Sequence, residues 1–458
     1  MSRHPVRTES FLHRLAATAL VGGLLVATPA LASAASRTRW QDVTGRTDLP
    51  NAAQATAAAD GRAFAAGYLS NAAGNRDFAV RANDARTGAL LWQDTLDFAA
   101  GHDEALAIAA DGQTVIAAGY VTNAAHNRDF FVRAYHPRTG VILWQDQVDL
   151  GGRDQAMAVS IADDRAVVTG FGGVCQVFGA GDCDALVRTY HLHTGHLAWQ
   201  RRVDVAGNFD TFSDVAISGD LVIAAGAGAD ASGNVGFLVR AYDVDNGRVM
   251  WSVPFTSSGF DIGNRVAVDE RGVFVAGVSL NAAFLPVFTV RAYDRRNGRL
   301  LWTDTVDQGG VTGLDSANAI VVHDDRVVAA GAVTDADGTS YFFVKAYRAR
   351  NGAAAWSDQT GDPGQNANAK ALAVHGDRVY AGGQDGSFCS AFVVSNCRFL
   401  VRGYGLEHGA LEWQDDFNYA GGDNDVRALS VDDDRVIAGG IAVGPGGLPL
   451  WMGRGYGR

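Results

Sequence analysis

Lysine is all but missing from this chain. Only Lys345 and Lys370 occur, so the basic residues are almost all Arg. With the high Ala content, this reads as the coding bias of a GC-rich bacterium rather than as a functional device. Positive charge is short overall: 38 Lys and Arg stand against 50 Asp and Glu, a formal net charge of -12. A phosphate backbone needs a basic surface, which argues against a nucleic-acid partner. Cysteine is scarce as well. There are four residues, with no CxxC spacing and no adjacent pair, which argues against a zinc site. No Ser-His-Asp motif, nucleotide fingerprint or isolated pair of carboxylates stands out.

One apolar run is long, and it stands at the N-terminus. Arg3, Arg7 and Arg14 precede a run from Leu15 to about Leu31, followed by the small residues of "TPALASAAS". That order is the order of a secretory signal, with Ala30 and Ala32 placed for cleavage after Ala32. Residues 1–32 are therefore expected to be a signal peptide, and residues 33–458 a single domain. A membrane anchor is the other reading, for which Gly22, Gly23 and Pro29 make a poor permanent span. The expected location is exported, periplasmic or extracellular, with no membrane span after cleavage. The cysteines agree with this. Cys175 and Cys183 are eight apart, as are Cys389 and Cys397. Two local disulfides, each closing a hairpin loop, are the simplest pairing in an oxidising compartment, with metal binding as the alternative.

What is abundant is repetition. Trp40, Trp92, Trp144, Trp199, Trp251, Trp302, Trp356 and Trp413 recur at intervals of about 51 to 57 residues. Repeats of this period mark propellers or arrays. Within the second copy, "ALAIAA" is a short strand, Asp111-Gly112 a hairpin turn, and "TVIAAG" a second strand. A variable loop comes next, then "DFFVRAY", the turn "HPRTG" and the Trp-bearing strand "VILWQD". Four short antiparallel strands per repeat make a propeller blade. Ala105, Ala107 and Ala109 are expected to share one face of the first strand. Small side chains suit a crowded axis, so this strand is placed innermost and the Trp strand outermost. The chain after residue 32 begins with an outer strand, "TRWQDVTG", and "PLWMGRGYGR" is a third strand with none after it. The N-terminal strand should thus complete the last blade, and the fold class is all-β: a closed eight-bladed propeller.

The phrase Ala-x-Asp-x-x-Thr-Gly-x-x-x-Trp, written here from Ala82 to Trp92, resembles the tryptophan-docking motif of quinoprotein (PQQ-like) eight-bladed propellers. Related copies end at Trp144, Trp251, Trp302 and Trp356, and looser ones at Trp199 and Trp413. The resemblance implies that fold across the mature chain. It does not choose the function, because the family holds both PQQ-dependent dehydrogenases and non-catalytic assembly scaffolds. Its dehydrogenases typically hold the quinone beside a vicinal Cys-Cys disulfide, over a Trp, with a calcium ion and a catalytic Asp. This chain has no Cys-Cys pair. Eight of its nine Trp occupy the repeat position, and Trp451 falls where other third strands carry Phe130 or Phe343.

Site candidates come from two patterns. Asn51, Asp103, Asp154, Asp210, Asp261, Asp315 and Asn424 recur at the mouth of the innermost strand, with Ala367 in the remaining repeat. The five Asp are candidate cation ligands around one channel mouth, or else caps for nearby backbone N–H groups. The second pattern is a break in symmetry. Six innermost strands carry Ala55, Ala107, Ala158, Ala319, Ala371 and Ala428 at one position, where two neighbours carry Asp214 and Arg265. This pair is a candidate cofactor or ligand site, or else an interblade salt bridge. The eight third-strand cations, Arg81 to Arg454, are expected to pair with outer-strand acids such as Asp94, Asp146 and Asp304. The cluster His191, His193 and His196 lacks a completing carboxylate or Cys for a metal. The loops between second and third strands vary most and carry apolar residues such as Phe178, Phe284 and Phe392. Variable loops on a rigid scaffold are where recognition lives. The leading expectation is a non-catalytic module binding a protein or an extracellular polymer through this loop face, without a cofactor. The alternative is a divergent PQQ- and Ca-dependent dehydrogenase, or another enzyme using the central channel.

Overall fold

A computed structural model describes residues 37–174, 182–253, 259–310, 315–386, 396–432, 435–444 and 446–457. The expected signal peptide lies outside them. Residues from Ser36 onward form one compact unit. It is built of eight four-stranded antiparallel sheets, and no helix among the described residues is long and apolar enough to cross a membrane. Blades one to seven span residues 52–96, 104–148, 155–203, 211–252, 262–306, 316–360 and 368–417. Blade eight takes three strands from residues 424–457 and its outermost strand, Thr38–Thr44, from the start of the unit. Trp40 stands opposite Gly455 and Gln41 opposite Arg454 in that ladder, so the ring closes as the sequence implied. The first strand of each blade packs against the first strand of the next all the way round, which makes it the innermost.

The repeated phrase is an interblade lock. Asp84 accepts hydrogen bonds from the Arg86 and Thr87 N–H groups and the Thr87 hydroxyl, and so shapes the turn before Gly88. That turn offers a carbonyl to the preceding blade: Trp40 Nε1 donates to Ala85 O at 2.8 Å. Trp92, Trp144, Trp199, Trp251, Trp302 and Trp356 repeat the bond at 2.8 to 2.9 Å. Trp413 finds no acceptor among the described residues. The glycine is required twice over. Gly140 has φ +69°, and a Cβ there would lie 2.7 Å from the Trp92 ring.

Deeper in the same interfaces runs a charge ladder. Arg133 bonds Asp94 of the preceding blade at 2.9 Å, and Tyr135 Oη donates to the same carboxylate oxygen at 2.9 Å. Arg188 and Tyr190 share Asp146, Lys345 and Tyr347 share Asp304, and Arg402 and Tyr404 share Asp358. The expected acids are therefore the partners, and they come from the neighbouring blade. Blades three and four break the pattern, with Arg201 and Val253 at the acid position. Tyr242 and Tyr293 across those two interfaces are buried beside Arg240 and Arg291, and among the described residues their hydroxyls lack the carboxylate that Tyr135, Tyr190, Tyr347 and Tyr404 reach.

Candidate functional site

Every innermost strand carries a β-bulge. In blade two the register shifts between Ala105 and Ala107, leaving Leu106 as the extra residue. An extra residue switches the side chains beyond it to the other face of the sheet. Ala105 therefore does not share a face with Ala107 and Ala109, as strict alternation had implied. The bulged residues are Gln54, Leu106, Met157, Ser213, Asn264, Asn318, Lys370 and Arg427, and all eight line a cavity of about 670 Å³.

Most of these side chains reach sideways to the start of the next blade. Asn264 donates to Ser316 Oγ at 2.9 Å, Asn318 to Asn368 Oδ1 at 2.8 Å, and Lys370 to Asp425 Oδ2 at 2.8 Å. Arg427 donates to Gln54 Oε1 at 2.7 Å, and Gln54 in turn to Glu104. A polar belt thus runs from blade five through blade eight to blade two. Leu106 and Met157 interrupt it with an apolar wall. In a ring of eight, Met157 of blade three stands opposite Lys370 of blade seven. The belt escaped sequence reasoning because a bulge cannot be read from alternation. The run of Gln, Asn, Ser, Lys and Arg one residue before the alanine position was its only signal.

The alanine position lies just past the bulge and lines a second, smaller cavity of about 230 Å³. Asp214 and Arg265 fall there in register with the six alanines, as aligned. No ion pair joins them among the described residues. Asp214 Oδ2 accepts the Val266 N–H at 2.8 Å, and Arg265 Nη1 donates to Asn264 O at 2.9 Å. Burial pushes the Asp214 carboxyl up, and the Arg265 charge opposes it. Arg265 itself is exposed to the channel.

The ring of acids sits elsewhere, sealed at the strand entries. Asp103, Asp154, Asp210, Asp261 and Asp315 are all buried. Asp103 accepts the Phe98 and Thr122 N–H groups at 2.6 and 2.7 Å; Asp154 accepts those of Leu150 and Gly173 at 2.5 and 2.7 Å. Asp210 does the same for Val205 and Ala229. Asp261 faces Arg291 at 3.7 Å, and Asp315 lies beside Thr334. Burial pushes the carboxyls of Asp103, Asp154, Asp210 and Asp315 up to about 6, against the pull of their hydrogen bonds. Asn51 fills the role with reversed chemistry: its Oδ1 accepts the Ser70 N–H while its Nδ2 donates to Arg46 O and Leu49 O.

Among the described residues, two carboxylate trios are close enough to share a cation: Asp129, Asp149 and Asp154, and Asp182, Asp184 and Asp204. Neither includes a channel-lining residue, and neither includes His191, His193 or His196. His191 instead meets Asp164 at 3.1 Å. Cys183 and Cys397 are buried and neither is a free thiol; Cys175 and Cys389 lie outside the described residues.

The channel residues do not fit a quinone cofactor. Among the described residues, no aromatic side chain lines either cavity. Seven Trp are committed through Nε1 to the next blade, Trp413 is buried against Tyr456 in the outer part of its interface, and Trp451 is buried against Ala53 and Ala79. Asp425, the acid of the belt that lines the cavity, is already held by Lys370 at 2.8 Å and faced by Arg427 at 3.5 Å.

Loops between second and third strands share a recurring turn. An Asn or Asp side chain bonds two N–H groups, and the residue at its tip takes a positive φ. That residue is Gly74, Gly233 and Gly338 in blades one, four and six. Blade two has His126 there, and blade five has Phe284 at φ +59°. Phe284 is 75% exposed, with its backbone pinned by Asn281, whose Oδ1 accepts the Ala283 and Leu285 N–H groups. Val174 and Phe260 are also exposed in loops of this face, at 60% and 44%.

The family model PQQ_2, described as outer membrane protein assembly factor BamB, matches residues 76–238 and 235–441. No curated protein matches. Among solved structures, quinohemoprotein alcohol dehydrogenase ADHIIG from Pseudomonas putida HK5 superposes with a TM-score of 0.57 at 15% identity, covering 93% of this chain and 77% of that one. The quinohemoprotein alcohol dehydrogenase of Comamonas testosteroni gives 0.56 at 13% identity, covering 93% and 78%. A europium-containing methanol dehydrogenase gives 0.54 at 12% identity, covering 92% and 93%. At such identities the likeness is one of fold.

Proposed function

The chain belongs to the PQQ_2 family described as outer membrane protein assembly factor BamB, and from that premise we propose that it is an exported, non-catalytic binding module. Its partner is a protein or an extracellular polymer, held by the loops between second and third strands. The observation that carries this reading is Phe284. Three other blades place glycine at that tip, where a left-handed backbone costs nothing. A bulky aromatic in that conformation is strained by about 1–3 kcal/mol, and strain of this kind gathers at functional sites. Phe284 spends that strain on holding a ring out in water. Val174 and Phe260 add apolar surface over blades three to five. We pair Cys175 with Cys183 and Cys389 with Cys397, which would tie down loops four blades apart, on opposite sides of the face.

A photo-crosslinking side chain at position 284 should give a discrete adduct in the exported protein. The same group at position 350, in a turn of the opposite face, should not. No adduct at 284, or equal adducts at both positions, would overturn the reading. N-terminal sequencing of the exported protein should begin at Ser33. The dehydrogenase alternative makes a separate forecast: a saturable rise in melting temperature with PQQ plus Ca²⁺. The binding reading expects no such rise.

A further inference from the structure

The two axial cavities share Gln54, Leu106, Met157, Arg265, Lys370 and Arg427, and so lie next to each other along the channel. We propose that this channel binds a small organic anion with an aliphatic body, its carboxylate on Arg265 and its chain against Leu106 and Met157. The inference goes beyond the loop-face reading and does not depend on it.

Charge comes first. In a chain of net charge -12, the channel lining gathers three cations, Arg265, Lys370 and Arg427, against the two acids Asp425 and Asp214. Asp425 is engaged by Lys370 at 2.8 Å and faced by Arg427 at 3.5 Å. Arg265 is different. It is exposed, it has no carboxylate at ion-pair distance among the described residues, and it makes one bond, to the Asn264 carbonyl. A guanidinium carries five N–H donors in a fork that matches a carboxylate. Burial pushes the neighbouring Asp214 carboxyl up, which weakens its competition for Arg265.

Shape comes second. Six of the eight residues in the Arg265 layer are alanines, so the guanidinium projects into room that larger side chains would fill. The larger cavity, about 670 Å³, falls within the range of small-molecule sites. Leu106 and Met157 form the gap in the polar belt, three and two blades from Arg265 respectively. A ligand spanning that distance meets a cation at one end and apolar atoms at the other. With no aromatic ring in the lining among the described residues, an aliphatic body fits better than a flat one.

Octanoate serves as the probe, titrated calorimetrically into the mature protein, with octanol, octylammonium and acetate as companions. Octanoate should bind saturably, and the neutral, cationic and chainless probes should bind far more weakly. Arg265→Gln should weaken octanoate by about tenfold or more, since a charged hydrogen bond is lost. Met157→Gln should weaken octanoate while leaving the response to acetate unchanged. Arg265 holds only a neighbouring carbonyl, so its variant should melt as wild type does. If it fails to fold, Met157→Gln and Leu106→Asn decide the matter, and unchanged octanoate binding in both would overturn the proposal. So would the absence of octanoate binding to the wild type, equal binding of octanol, or undiminished binding by a folded Arg265→Gln variant.

Discussion

Replacing Gly140 by alanine should cost far more than its single added methyl suggests. Two effects add. The backbone there has φ +69°, where an L-residue is disfavoured by about 1–2 kcal/mol. Part of this, about 0.4–1 kcal/mol, is returned because alanine narrows the unfolded ensemble. Steric contact weighs more. The new Cβ would lie 2.7 Å from Trp92 Cδ2 and 2.9 Å from Cε3 and Cγ. Carbon atoms settle about 3.5–4.0 Å apart, so something must move by nearly an ångström. Trp92 cannot yield freely, since its Nε1 bonds Pro137 O at 2.9 Å and its ring stacks on Tyr135 at 5.5 Å. Overpacking of that kind costs about 1–3 kcal/mol. Gly207 supplies the control: its φ is +71° and an added Cβ meets nothing within 4 Å. Urea unfolding should therefore place Gly207→Ala within about 1.5 kcal/mol of wild type and Gly140→Ala about 1–3 kcal/mol below the Gly207→Ala variant. In a Trp92→Phe background the gap should shrink, because the smaller ring leaves room. Equal losses in the two alanine variants would refute the steric reasoning and reduce the repeated glycine to a backbone requirement.

Arg201→Asp should stabilise the protein by up to about 1 kcal/mol in urea, because it gives Arg240 and the Tyr242 hydroxyl the carboxylate that other interfaces have, less the carbonyl bonds Arg201 now makes. A loss of stability would show that blade three has settled on its own solution. Asp103, Asp154, Asp210 and Asp315 are pushed up to about 6, above their unfolded value. The native state then holds extra protons between that value and the unfolded one, so the urea midpoint should rise as pH falls from about 7 to about 5. Asp154→Asn should flatten the slope, and a midpoint that falls over the same window would contradict the sign. Deleting residues 38–45 should lower the melting temperature, since blade eight loses its outer strand and Trp40 its slot on Ala85 and Gly88. An unchanged melting temperature would count against closure of the ring.

Architecture was legible because each repeated residue meets the same demand in most copies. Trp92 and Gly140 recur because seven of the interfaces seat a flat ring on a bare backbone, Trp413 being the exception among the described residues. Asp214 and Arg265 were visible as breaks in a row of alanines, and the register aligns them with that row. Leu106 and its equivalents were hidden. A bulge depends on how two strands pair, and alternation along one strand carries no trace of it. The ladder acids were named from sequence, yet their pairing across blades is a matter of packing alone. Phe284 stands out in the sequence only as an apolar loop residue. Its left-handed backbone became apparent only beside Gly74, Gly233 and Gly338.

The strand Thr38–Thr44 and its ladder partner are among the most distant pairs in the chain, with Gln41 bonded to Arg454, 413 positions away. Every copy of the protein carries an identical strand, and an unfinished eighth blade has no means of telling its own from a neighbour's. Self-completion wins only while the tethered strand is locally more concentrated than its rivals, on the order of millimolar for a flexible tether. Where newly made chains crowd together, strand exchange between molecules should yield linked rings, each closed with the first strand of another.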